Sequence, residues 1–131
     1  MPECRILKAF GFRNRHTLDE IVAWCNEFTA RDRLFAILLD GPWGGGTGKT
    51  FDWENLAQLI GKSDYRSIRE KIFLAGGLNS QNVAEAIKML HPLGVDVSSG
   101  VEAKPGVKNA DEVQMFVNRA KAETRKPKQG E

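Results

Sequence analysis

The sequence predicts an α/β fold built from four βα units with parallel strands. Three observations carry that expectation. Short apolar runs alternate along the chain with segments of helical periodicity, the pattern of strand–crossover units. One run, "RLFAILLD", is apolar at successive positions, as in a parallel strand covered on both faces. Glycines fall just after the second, third and fourth runs, in "GGGTG", "AGG" and "SSG", and not where helices return to strands.

The first strand is expected in "CRILKAFGF", residues 4–12. Thr17 then opens a helix whose Leu18, Ile21, Val22 and Cys25 recur at i, i+3, i+4 and i+7, giving one apolar face. "RLFAILLD", residues 33–40, is the second strand. Past the glycine loop, Trp53, Leu56, Ala57 and Ile60 share a helical stripe. "KIFLAGGL", residues 71–78, is the third strand. Asn79 or Ser80 caps the next helix, striped by Val83, Ala86, Ile87 and Leu90. "GVDVSSG", residues 94–100, is the fourth strand. Asn109 with Glu112 three residues later reads as a capping box, and Val113, Phe116, Val117 and Ala120 form the last stripe. The domain is expected to span residues 1–123. The polar segment 124–131 has nothing to bury and is expected to be a disordered tail.

Composition narrows the function. A chain of 131 residues makes one domain. A net charge of +2 lacks the basic excess of a nucleic-acid binder, and the cluster of basic residues over 119–128 reads as a solvated tail. Cys4 and Cys25 form no C-x-x-C pair, which argues against a disulfide framework or a zinc site. His16 and His91 have no companion at metal-ligand spacing and receive no role. The sequence has no signal-peptide pattern and no apolar run of about 18 residues, so a cytoplasmic protein with no membrane partner is expected.

"GPWGGGTGKTFDW", residues 41–53, resembles a nucleotide-binding P-loop but fails on geometry. With Gly48, Lys49 and Thr50 as its "GKT", the first glycine belongs at position 43, where Trp43 stands. A loop starting at Gly44 is one residue short of curling round a phosphate. A glycine loop after a buried strand can still bind an anion through its amides.

Right-handed crossovers gather all strand C-termini on one edge, where α/β proteins bind ligands. Asp40 ends an apolar strand there and reads either as a turn cap or as a catalytic group. Gly76 and Gly77, with Ser99 and Gly100, read as backbone cradles for an anion or as tight strand-to-helix turns. Asp96, expected within an apolar strand, either holds a substrate hydroxyl or pairs with a nearby cation. Lys49 either attracts an anion or is solvated. Trp43 packs in its loop or stacks on an aromatic ligand, and Trp53 belongs to the core.

Three of these stretches, "LLDG…GGTGKTFDW", "FLAGGLNSQNVAEAI" and "GVDVSSGVEAKPGVKNADEVQMFV", together resemble the second half of phosphoribosylanthranilate isomerase, from about residue 5 to about residue 122. The resemblance implies strands five to eight of a TIM-type (β/α)8 barrel. It implies an isomerase of tryptophan biosynthesis that performs an Amadori-type rearrangement with no cofactor or metal. It makes Asp40 the general acid, puts the substrate phosphate on Gly76, Gly77, Ser99 and Gly100, and hints at a substrate contact for Asp96. It also makes the glycine loop a lid beside the substrate.

The family's general base is a Cys at the end of its first strand, in the half that this sequence does not contain. Cys4 lies about seven residues from the ligand edge, about 23 Å along a strand, too far to replace it. Cys25 lies on a buried helix face, where a thiol is inert. Four strands cannot close a barrel, so one sheet face and two edges await a partner. The expected partners are a phosphoribosyl substrate and either an N-terminal half-barrel or a second copy of the chain, unless the chain is a piece of a longer product. Two other readings stand beside the enzyme: a non-catalytic phosphate-binding or interaction half-barrel, and a flavodoxin-like nucleotide-binding domain.

Overall fold

The computed structural model describes residues 4–43 and 49–124. The expected glycine-loop lid (44–48) and nearly all of the expected tail (125–131) lie outside the described residues. Four strands form one sheet: β1 (Ile6–Gly11), β2 (Leu34–Asp40), β3 (Ile72–Leu74) and β4 (Gly94–Val95). They lie in the order β1-β2-β3-β4, every neighbouring pair parallel. Such a sequential order needs a crossover after each strand, supplied by α1 (Arg15–Glu27), α2 (Trp53–Ile60) and α4 (Val83–Leu90). A final helix, α5 (Ala110–Thr124), packs against α4 and carries the chain one residue past the expected domain end.

The core lies between the helices and one sheet face. Ile37, Leu39 and Leu74 on the strands join Leu18 and Ile21 of α1, Leu56 and Ile60 of α2, Val83 and Ile87 of α4, and Phe116 of α5 in one buried cluster. The other sheet face is open. Leu7, Ala9 and Gly11 sit opposite Ala36, Leu38 and Asp40, and Leu38 sits opposite Phe73. Leu7 is 48% exposed and Phe35 41%, with the rings of Phe35 and Phe73 edge to face. The two-sided apolarity of "RLFAILLD" therefore has different causes: one face is covered by helices, and the other is an apolar surface only partly covered, with Ala36 buried, Leu38 half-buried and Phe35 exposed. Both β1 and β4 are edge strands.

Several local expectations change for identifiable reasons. Asn14 caps α1, its Oδ1 accepting from His16 N–H at 2.9 Å, while the Thr17 hydroxyl accepts from Arg13 N–H. Between α2 and β3 an unexpected turn, Ser63–Tyr65, and α3 (Arg66–Arg69) appear. Their only buried side chains are Tyr65 and Ile68, too sparse for a periodic signal. Tyr65 donates to Asp19 Oδ1 at 2.8 Å; burial and this bond hold its phenol pKa up. The fourth strand is only two residues long. Beyond it the chain forms a turn of 3-10 helix, Ser99–Val101, and an antiparallel hairpin of β5 (Glu102–Lys104) and β6 (Val107–Lys108). Gly106 makes the hairpin turn at φ +81°, a conformation that favours glycine.

The α5 stripe is only partly buried, since Val113 and Val117 are each 37% exposed and Phe116 alone is fully buried. Only half of the capping box forms. Asn109 accepts from the Asp111 and Glu112 amides, but the Glu112 carboxylate turns away to accept from the Ser80 hydroxyl at 2.6 Å. Arg119, expected to be solvated, donates to the Ser80 carbonyl. Ser80 is buried and ties α5 to the turn ahead of α4 instead of capping it. Asn79 is not the cap either: the N-cap of α4 is Asn82, whose side chain makes no capping bond, and Asn79 accepts from the Gln81 and Asn82 amides in the preceding turn. Ser80→Ala leaves Glu112 without this donor and is expected to cost about 1–2 kcal/mol, read as a lowered urea midpoint with unchanged slope.

Candidate functional site

Asp40 is the last residue of β2, opposite Gly11, at the C-terminal edge of the sheet. Its backbone carbonyl accepts from Phe12 N–H at 2.8 Å, which binds the ends of β1 and β2 together. Its half-buried carboxylate accepts from Gly41 N–H at 2.6 Å through Oδ1. That bond is the Asp-Gly turn contact expected of a cap.

The neighbouring turns close on this carboxylate. Ala75 N–H reaches the Leu39 carbonyl at 2.8 Å, continuing the ladder to the site. Gly76 comes next at φ +89° and Gly77 at φ +70°. A Cβ on Gly76 would lie within 3.0 Å of Asp40 Oδ1 and 2.9 Å from Gly41 N, so this backbone touches the carboxylate because it has no side chain. A Cβ on Gly77 would stand 2.5 Å from the carbonyl carbon of Lys49 and the amide nitrogen of Thr50. A Cβ on Gly100 would fall within 3.0 Å of the Leu78 carbonyl. The β3–α4 loop thus touches Asp40 at Gly76, the returning arm of the β2–α2 loop at Gly77, and the Ser99–Val101 turn at Leu78. Among the described residues, the amides of Gly76 and Gly77 donate to no acceptor.

The remaining sequence candidates distribute unevenly. Ser99 and Gly100 lie in the 3-10 turn, not in a strand. Asp96 N–H still reaches the Leu74 carbonyl at 2.9 Å, but the residue is exposed, so solvent removes the desolvation cost expected of it inside a strand. The Lys49 ammonium sits 5.5 Å from the centre of the Trp43 ring, and Trp43 is exposed. Trp53 is half-buried against the core. His91 is the left-handed C-cap of α4, its amide bonded to Ile87. Cys4 is exposed, just ahead of β1 and at the opposite end from Asp40. Burial pushes the Cys25 thiol pKa up, which suppresses the nucleophilic thiolate.

Two residues that the sequence did not single out hold the loops. The Asn82 side chain donates to the Gly77 carbonyl at 3.0 Å and accepts from Asn79 N–H at 2.8 Å. The Lys108 ammonium donates to the Ser98 carbonyl at 2.8 Å and lies 3.7 Å from Glu102. Asn82 was hidden in a run of helix-capping residues, "NSQN", and Lys108 in a segment with no periodicity.

A family model described as N-(5'phosphoribosyl)anthranilate (PRA) isomerase matches residues 3–119. The chain belongs to the N-(5'-phosphoribosyl)anthranilate isomerase family. Among relatives bearing that name, the one from Trichlorobacter lovleyi is 42% identical over 122 residues, which cover 91% of this chain and 53% of the relative. A crystal structure of the Thermotoga maritima phosphoribosyl anthranilate isomerase superposes with a TM-score of 0.69 at 40% identity, over 90% of this chain and 52% of that one. Another phosphoribosyl anthranilate isomerase structure, in complex with reduced 1-(o-carboxyphenylamino)-1-deoxyribulose 5-phosphate, matches with a TM-score of 0.64 at 37% identity and covers 90% of this chain and 49% of that one. The chain therefore spans about half the length of the isomerases it matches. The parallel sheet with helices is common ground with those structures. Among the described residues no helix is long and apolar enough to cross a membrane.

Proposed function

We propose that this chain forms strands five to eight of a phosphoribosylanthranilate isomerase barrel and carries its acid and its phosphate grip. The observation that carries the reading is the contact of the Asp40 carboxylate with Gly76, with Gly77 and Gly100 packed on the adjoining turns. Asp40 gives a proton to the ribose ring oxygen as the ring opens. A base from the other half removes a proton from the neighbouring carbon, and the product is the ring-opened amino ketone. The phosphate sits on the backbone of Gly76, Gly77, Ser99 and Gly100, which leaves the reacting carbons facing Asp40. Asp96, exposed at the same edge, is a substrate-hydroxyl contact in this reading. The reaction needs no cofactor, and its place in tryptophan biosynthesis makes the chain cytoplasmic.

The open sheet face and the two free edges support a missing N-terminal half. The test mixes the chain with a separately expressed N-terminal half of the Trichlorobacter lovleyi relative and follows consumption of N-(5'-phosphoribosyl)anthranilate. The lone chain is expected to show negligible turnover, and the mixture to gain about 10²-fold or more from the general base it acquires. Robust turnover by the lone chain would contradict the need for a second half. Ligand binding without turnover in every mixture would favour the non-catalytic half-barrel. Tight magnesium–ATP binding without phosphoribosyl binding would favour the nucleotide reading.

A further inference from the structure

A peptide group is planar and trans, so its C=O and N–H point in opposite directions. Whatever holds the carbonyl therefore aims the amide. Two such holds exist at the candidate phosphate site. Asn82 Nδ2 donates to the Gly77 carbonyl, which fixes the peptide group carrying the Leu78 N–H. Lys108 Nζ donates to the Ser98 carbonyl, which fixes the peptide group carrying the Ser99 N–H. The two peptide groups belong to adjoining turns, because Gly100 lies against the Leu78 carbonyl.

We propose that Asn82 and Lys108 are positioning residues for phosphate, each turning one peptide group so that its N–H, from Leu78 or Ser99, faces the anion. The inference rests on the phosphate grip proposed above, extends it to the Leu78 amide, and adds the side chains that orient the Leu78 and Ser99 amides. Neither residue needs to touch the ligand. Asn82 is well braced for the task, since its Oδ1 also accepts from Asn79 N–H and so spans the turn. Lys108 is braced by Glu102, whose Oε2 lies 3.7 Å from the ammonium and also accepts from Gly106 N–H at 2.8 Å. The Ser98 carbonyl accepts from Val101 N–H as well, but at 3.4 Å, so the ammonium is the closer hold. An ordered amide costs less to bind through than one that must be ordered by the ligand.

Both holds are contained in this chain, so the test needs no partner. The isotope-labelled chain is titrated with inorganic phosphate while the Leu78 and Ser99 amide signals are tracked by NMR. Lys108→Met and Asn82→Ala are each expected to weaken phosphate binding about fivefold or more. Lys108→Arg, which keeps an N–H donor, restores binding to within about twofold of the parent. Lys104→Met removes a charge from the same hairpin without removing a hold, and is expected to change affinity by less than about twofold. Lys108 is half-exposed, so its replacement leaves the core and the melting temperature intact even where Asn82→Ala disturbs the start of α4. Unchanged affinity in Lys108→Met and Asn82→Ala, with the parent binding normally, overturns the positioning roles alone. Equal losses in Lys104→Met and Lys108→Met reduce Lys108 to a bulk charge and overturn its role. Failure of the parent chain to shift either amide overturns both this inference and the phosphate grip beneath it.

Discussion

Asp40→Asn should lower turnover of the completed enzyme by about 10²–10⁴-fold, the scale of a lost general acid. Asparagine keeps the size of the side chain and its carbonyl oxygen. The bond from Gly41 N–H, now at 2.6 Å to Oδ1, can therefore persist, and the turn beside Gly76 keeps its shape. What the amide cannot do is give up a proton at neutral pH. The substitution thus separates the two roles open to Asp40. If the carboxylate is only a cap, its hydrogen bond survives and turnover stays within a few-fold of the parent. If it is the acid, turnover collapses while binding of a phosphorylated product analogue changes little, because the phosphate grip lies on other residues. Steady-state rates and calorimetric titration on the same variant decide between them. Intact turnover by Asp40→Asn would end the acid assignment.

The elements that the sequence made legible are those with a strong period. Leu18 with Ile21, Leu56 with Ile60, and Val83 with Ile87 recur at helical spacing, and each pair is buried against the sheet. The strand ends were harder to place. "GVDVSSG" has the β-branched composition of a strand, yet only Gly94–Val95 pairs, because the chain leaves the sheet to form the turn that meets Leu78. A ligand edge is where backbone departs from the ladder, so propensity overstates strand length there. Glycines told where the chain turns, but not how closely it turns. That Gly76 rests on a carboxylate and Gly100 on a carbonyl is a matter of tertiary contact, without a local signal. The same holds for Ser80. Its position suggested a cap, but a buried hydroxyl is more strongly recruited by Glu112, 32 residues away in the chain. Asn82 and Lys108 were invisible for a related reason: their partners are backbone carbonyls, which carry no sequence code.

Gly76→Ala is expected to damage both stability and turnover while leaving every functional side chain in place. Two costs combine at this position. At φ +89° any Cβ strains the backbone, by about 1–2 kcal/mol. The new methyl would also lie within 3.0 Å of Asp40 Oδ1 and 2.9 Å from Gly41 N, so either the carboxylate or the turn must move. Gly106→Ala separates the two effects. Gly106 has a similar φ of +81°, but a Cβ there meets nothing within 4 Å. It should show the backbone cost alone, about 1–2 kcal/mol in denaturant, with kcat unchanged. Gly76→Ala should lose that much and more in stability. It should also lose about 10²-fold in kcat, since a displacement near 1 Å at a reacting group is enough for such a loss. The informative quantity is the difference between the variants, because shared backbone strain cancels. Equal kcat values in the two would mean that the carboxylate tolerates displacement, and that close packing of Gly76 on Asp40 serves the fold and not the chemistry.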